Sequence, residues 1–261
     1  MKESLSKTAL IISFGTLLSK FGGLARQLVI AGAFGISAAY DAYNYAYVIP
    51  GFFLILIGGI NGPLHNAVVT VLSKTNNKES AYIINSINLS ITFLLLFAGG
   101  FLFLFSDPLI KLIAPGLEQE VHNIAVVQLK IMSPIIPLSG LIGIGFGSLN
   151  AKNTFFITTI SPIISSFTVI CGVGLFWLTK ESFVDKDPIQ LAIKGGVVIA
   201  QATLIGAFTQ WVVQIPSLIK KDLFRFNLKI DLKHPGVKEI WGVLTPATLS
   251  SGMLQINVIT D

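Results

Sequence analysis

Apolar runs long enough to cross a bilayer dominate this chain. A helical span needs about 20 predominantly apolar residues. Six full runs reach that length: 8–34, 38–72, 80–106, 121–149, 154–179 and 189–219. A seventh, 239–261, follows a polar loop and runs to the last residue. None of them alternates polar with apolar residues, and in lipid only helices or closed barrels satisfy every backbone group. The sequence therefore reads as an all-α polytopic membrane protein. Composition agrees, since 52% of the 261 residues are hydrophobic and 12% charged, against about 25% charged in a soluble domain. In such a chain the formal net charge of +5 is a topology signal before it is anything else, and no nucleic-acid partner is expected. The first run spans about 26 residues and contains Lys20, whereas a cleavable signal has an apolar core of about 7–15.

Lys and Arg in the loops set the orientation. With the N-terminus cytoplasmic, the inner segments hold Lys2, Lys7, Lys74, Lys78, Lys152, Lys220, Lys221, Arg225, Lys229, Lys233 and Lys238. The outer loops hold Lys111, Lys180 and Lys186. Eleven against three places the N-terminus inside. The expected organisation is a six-helix lobe over 1–219, a basic amphipathic cytoplasmic linker over 220–238, and the start of a second lobe over 239–261. The linker, "KKDLFRFNLKIDLKHPGVK", interleaves cations with Leu, Phe and Ile, as segments lying on a membrane surface do.

Proline and glycine recur within the runs. A break is expected at Pro50, because proline removes a backbone donor, and kinks are expected at Pro134, Pro137, Pro162, Pro216 and Pro246. Glycine pairs such as Gly58-Gly59 permit close helix contact. Pro50, Gly58, Gly59, His65 and Asn66 are candidates for a gate or hinge, with hydrogen-bonded packing as the plainer role for His65 and Asn66. Cys171, in an apolar run, reads as a small buried hydrophobe. The three histidines, His65, His122 and His234, lack metal-ligand spacing, so no metal or cofactor site is expected.

The stretch "SKFGGLARQLVIAGAFG", 19–35, carries two cations at membrane depth. Arg26 lies eight residues before the turn at 34–37, about 12 Å deep at ~1.5 Å per residue, and Asp41 about 6 Å deep on the returning helix. A short turn makes the two helices antiparallel neighbours, so an Arg26–Asp41 ion pair is expected, with Tyr40, Tyr43 and Asn44 completing its hydrogen bonds. Lys20 has no acidic residue near it in sequence. A charge at the bilayer centre costs at least ~2.5–3.5 kcal/mol on insertion scales and usually faces a bundle interior or a wet cavity. Lys20 and Arg26 are six residues apart, about 120° around a helix, and fit two sides of one cationic cavity for an anionic substrate. The alternative is a structural Arg–Asp pair plus a snorkelling lysine.

These residues carry a resemblance. "SKFGGLARQLVIAGAFGISAAYDAYNYAYVIPGFF", "IAPG" at 113–116 and "TPATLSSGMLQIN" at 245–257 together resemble the MurJ (MviN) family of lipid II flippases, in the multidrug/oligosaccharidyl-lipid/polysaccharide exporter superfamily, and "IPGFFLILIGGINGPLHNAVV" resembles its cyanobacterial branch. The resemblance implies a MATE-like six-helix transporter lobe plus the start of a seventh transmembrane helix. It implies an alternating-access carrier, not an enzyme, that moves undecaprenyl-pyrophosphate-linked peptidoglycan precursor to the outer leaflet of a bacterial inner membrane. On it, Lys20 and Arg26 bind the pyrophosphate and Asp41 serves ion pairing or coupling. A further basic position of the family falls at Leu54 and an acidic one at Gly59. Full members have about fourteen helices, so the resemblance implies an N-terminal half whose second lobe is supplied in cis or trans. The implied partners are lipid II or a similar polyprenyl-pyrophosphate glycolipid and membrane lipids. The alternatives are a flippase for another polyprenyl-linked polysaccharide and a non-transporting remnant or assembly partner.

Overall fold

A computed structural model describes residues 5–35, 37–179, 188–224 and 227–260, with side chains between residues 9 and 250 of those ranges except 188–189. Lys2, Lys180, Lys186 and Arg225 of the loop charge count lie outside the described residues, as does the side chain of Lys7. The described residues form eleven helices: α1 (Leu5–Phe34), α2 (Ala38–Leu56), α3 (Pro63–Leu72), α4 (Asn77–Leu104), α5 (Ser106–Ile113), α6 (Gln119–Met132), α7 (Ile135–Ala151), α8 (Phe156–Thr179), α9 (Pro188–Val212), α10 (Ile215–Lys220) and α11 (Pro235–Thr260). Several of the expected spans are thus made of two helices in series.

Local chemistry sets the boundaries. Gly35 sits at φ +54 and its N–H bonds the Ala31 carbonyl at 2.7 Å, a left-handed stop that glycine adopts without a Cβ penalty. Asn76 caps α4, accepting from the Glu79 N–H at 3.0 Å, and Pro63 opens α3 where its missing N–H is not needed. The 121–149 run bends by 42° between α6 and α7. Pro134 stands at that bend, and the Ser133 hydroxyl donates to the Lys130 carbonyl at 2.9 Å, which re-satisfies backbone freed at the break.

The expected break at Pro50 does not form there. Pro50 is buried inside an uninterrupted α2, and the chain breaks over 57–62 instead. A Cβ on Gly59 would run into the Ile55 carbonyl, and Asn61 takes a left-handed φ of +66. Neighbouring helices tolerate a proline mid-span; at the 57–62 break, backbone carbonyls crowd the Cβ positions of Gly58, Gly59 and Gly62.

Helix α1 packs along α8, α8 along α9, and α9 along α6, while α2 packs on α6, and α7 packs on both α3 and α4. In lipid, such contacts rest on close van der Waals fit and small residues more than on hydrophobic transfer. The break at 57–62 shows the fit. Gly140, Gly143 and Gly147 line one face of α7, where a Cβ at Gly143 would strike the Ile57 carbonyl and one at Gly147 would meet Val68 and the His65 carbonyl. Among the described residues, three helices are long and apolar enough to cross a membrane, Asn77–Leu104, Phe156–Thr179 and Gln190–Lys220, and the bent α6–α7 pair is a fourth candidate. Helices α1 and α2 carry Lys20, Arg26, Asp41 and Asn44, and fall outside this apolar set. Cys171 is exposed, so the buried role expected of it is corrected.

One end of the bundle gathers the basic loops. Lys152 donates to the Leu72 and Thr75 carbonyls at 2.8 and 2.6 Å, a cation on the carbonyls that end α3. Lys74 pairs with Glu239 at 3.2 Å. The linker is not helical through 227–231; it is a strap laid on α4. The Asn85 amide donates to the Asn227 and Lys229 carbonyls at 2.7 and 3.2 Å, and its oxygen accepts from the Asn227 N–H at 3.0 Å. The Tyr82 hydroxyl donates to Asp231 at 3.0 Å, which with the Lys233 and His234 N–H groups holds that carboxyl below its usual range. Asn85→Ala removes three strap bonds at once. Amide exchange at 227–231 is expected to accelerate by about tenfold or more, since each bond contributes ~0.5–1.5 kcal/mol, while exchange in α7 stays unchanged. Uniform acceleration would show a global effect instead.

The opposite end carries a smaller polar clamp. Asp107 on α5 accepts from His122 Nε2 at 2.8 Å and from Lys111 Nζ at 2.9 Å. The His122 bond first, then the Lys111 bond, hold the Asp107 carboxyl below its ordinary value. Because the folded-state value is depressed, the stabilisation is complete above the unfolded aspartate value of about 3.9 and is lost as pH falls through the lower folded value. The difference in thermal midpoint between wild type and Asp107→Asn should therefore be flat above about pH 5 and close as pH drops below about 4. A difference that grows on acidification would contradict the assignment.

Candidate functional site

Helix α1 has three faces at about 100° per residue. Leu10, Phe14, Leu17, Phe21, Leu24 and Leu28 form an exposed apolar stripe. Gly15, Ser19, Gly22, Arg26 and Ile30 face the α8 side: the Ser19 hydroxyl donates to the Thr159 carbonyl at 2.6 Å, a Cβ on Gly15 would strike the Thr159 side chain, and Ile30 is buried. Ser13, Thr16, Lys20 and Gln27 form the third face, and all four are exposed. The two cations therefore have different surroundings. Lys20 is open and has no hydrogen bond or ion pair among the described residues. Arg26 is half-buried, and its Nε is buried with no hydrogen-bond partner.

The expected Arg26–Asp41 ion pair is not formed within 4 Å. The reason lies in packing. Helix α1 leaves α2 at the turn and follows α8, with Phe34 stacked on Phe176 at 5.5 Å. Helix α2 is held elsewhere. The buried Gln128 amide on α6 donates to the Ala39 and Gly196 carbonyls, both at 3.1 Å, and the Tyr43 hydroxyl lies 3.0 Å from Thr203 Oγ1. Tyr43 thus bonds α9 rather than completing an Arg–Asp pair, although Arg26 is within electrostatic reach of its hydroxyl. Asp41 is exposed, as are Asn44 and Tyr45 one turn on, so these three share a polar face of α2. Gln128 was missed by sequence reasoning. Its signal was an uncharged amide inside an apolar run, a group that needs buried partners in lipid.

His65 belongs to a separate network. Its Nδ1 lies 3.1 Å from Asn66 Oδ1 and its Nε2 2.9 Å from Asn150 Nδ2. Asn150 Oδ1 accepts from the Thr158 hydroxyl at 2.8 Å, and Asn66 Nδ2 donates to the Asn61 carbonyl at 2.9 Å. The Asn61 N–H also points at His65 Nδ1, at 3.3 Å, so Nδ1 either donates to Asn66 Oδ1 or accepts from Asn61 according to the tautomer. The network ties the break at 57–62 to α7 and α8. Gly58 in that break lies against Ser139 of α7.

The model for the family described as lipid II flippase MurJ matches residues 30–261. The chain belongs to the MurJ family. Among its curated relatives, the probable lipid II flippase MurJ of Synechocystis sp. is 45% identical over 99% of this chain and 48% of its own length. The lipid II flippase MurJ of Burkholderia cenocepacia is 28% identical over 99% of this chain and 49% of its own. A solved structure, lipid II flippase MurJ in an inward closed conformation, superposes with a TM-score of 0.73 at 25% identity, over 96% of this chain and 49% of that one. The chain spans about half the length of the curated MurJ relatives it matches. The expected all-α polytopic membrane fold is that of MurJ. Within this MurJ-family chain, Gly59 stands where a side chain cannot be built without moving the Ile55 carbonyl, so the acidic position expected of the family has no room on this backbone.

Proposed function

We propose that this chain forms one lobe of a flippase that carries lipid II, or a glycolipid with the same polyprenyl-pyrophosphate, from the inner to the outer leaflet of a bacterial inner membrane. The observation that carries the reading is the pair of cations on α1. Lys20 is open on a polar face, and the Arg26 Nε is buried without a partner. An unpaired cation at membrane depth is costly, and a pyrophosphate supplies both charge and acceptors. Lys20 contributes a point charge and Arg26 a planar donor set. Asp41, Asn44 and Tyr45 offer a polar wall on α2, and Asp41 is the candidate for coupling to ion movement. Gly58 and Gly59 lie in the break, His65 and Asn66 follow it in α3, and Pro50 lies within α2 before it; these five are the hinge or gate candidates. A second lobe, in cis or trans, closes the far side of the cavity. The N-terminus is cytoplasmic, because the strap end of the bundle collects the basic loops. Native mass spectrometry of the purified protein tests the reading. Lipid II should remain bound to wild type and be lost from Lys20→Gln, and the same glycolipid lacking its pyrophosphate should bind neither. Equal retention by Lys20→Gln would refute the cationic site.

A further inference from the structure

Two grooves lie side by side between α4, the strap and α11. The larger, about 570 Å³, is lined by Ser90, Phe93, Leu94, Ile230, Leu232, Lys238 and Trp241. The second, about 290 Å³, continues from it past the shared Leu94 and Trp241 toward Phe53, Leu64 and Leu244. Together they make one apolar crevice with a single cation at its mouth. Lys238 and Trp241 are three residues apart on α11 and share a face. Ile230 and Leu232 of the strap are exposed and both line the larger groove, and Lys229 and Lys233 flank them in the same strap. The acids nearby are already engaged. Asp231 is bound by the Tyr82 hydroxyl and two backbone N–H groups, and Glu239 by Lys74. The Lys238 side chain is exposed and has no such partner among the described residues.

We infer that this crevice binds an anionic phospholipid from the leaflet on the strap side, with its phosphate at Lys238 and an acyl chain against Phe93, Leu94 and Trp241. An apolar slot in lipid takes any acyl chain. The uncompensated cation at its mouth selects the charge of the headgroup, and the strap lysines add to the local potential. The site is separate from the α1 cations that are proposed to hold the transported glycolipid, and its occupant stays the same whatever glycolipid the carrier moves. Its occupancy bears on α11, which packs on α3 beside the same crevice.

Trp241 is a built-in reporter. In a Trp177→Phe, Trp211→Phe background of the full protein, quenching by phospholipids brominated on the acyl chain reads the crevice directly. Brominated phosphatidylglycerol should quench at about fivefold lower mole fraction than brominated phosphatidylcholine, the preference expected of one lysine near an anionic headgroup. Lys238→Gln should bring the ratio close to one, Lys238→Arg should keep it, and 1 M salt should shrink it as the screening length falls to about 3 Å. Equal quenching by the two lipids, or a ratio that survives Lys238→Gln, overturns the site. Displacement of the brominated phosphatidylglycerol by an equimolar polyprenyl pyrophosphate overturns the phospholipid as its occupant.

Discussion

Arg26→Ala should abolish rescue of cells depleted of their own lipid II flippase while leaving the amount of protein in the membrane unchanged. Two roles for Arg26 predict opposite stabilities. A structural arginine with satisfied bonds would leave buried acceptors behind when removed, and the fold would lose several kcal/mol, as for a broken buried pair. Here the Nε has no partner and Asp41 is not paired with it. Removing an unpaired cation at membrane depth relieves a penalty of ~2.5–3.5 kcal/mol or more. The thermal midpoint of Arg26→Ala should therefore equal or exceed that of wild type, while stabilisation by added lipid II disappears. Such a trade of stability against function marks a binding group. Arg26→Lys should retain part of the rescue, because it keeps the charge without the planar donor set. A lowered midpoint with rescue intact would return Arg26 to a structural role.

The second large effect concerns α7. Gly143→Ala places a methyl against the Ile57 carbonyl, and backbone cannot rotate away as a side chain can. Overpacking of this kind costs about 1–3 kcal/mol. For a chain of this size each kcal/mol shifts the midpoint by about 2–4 °C, so a fall of roughly 2–12 °C is expected. Gly100→Ala is the control. Nothing lies within 4 Å of its added methyl, and a helical Gly→Ala change gains about 0.5–1 kcal/mol. The two variants should shift the midpoint in opposite directions. Shifts of the same sign and size would mean that glycine content, not the seat of the 57–62 break, is being measured.

The apolar runs were legible because bilayer thickness fixes their length, and every expected span has its helix or helix pair. The positions of the breaks were less so. Pro50 advertises a break in sequence, but its surroundings in α2 accept it, whereas 57–62 turns on glycines whose meaning depends on which carbonyl lies opposite. The cations at 20 and 26 stood out as polar residues in apolar sequence. Their partners did not. A turn of a few residues brings two helix ends together but does not decide whether the helices stay together, and here the decision rests with Gly15, Ser19 and Gly22, which fit Thr159, Ile163 and Ser166 on α8. Cys171 failed in the same way. An apolar run in a membrane protein says little about which side faces protein.

The pairing of α1 with α8 also sets an order in time. Between Phe34 and Phe156 the ribosome adds about 120 residues, which at ~5–20 residues per second takes roughly 6–24 s. Through that interval α1 has no partner for Gly15, Ser19 or Gly22. Its leucine and phenylalanine stripe must hold it in the bilayer alone, with two cations aboard. The apolar stripe is therefore a requirement of biogenesis before it is a feature of the finished helix bundle, and substitutions along it should appear first as failed insertion of a nascent chain.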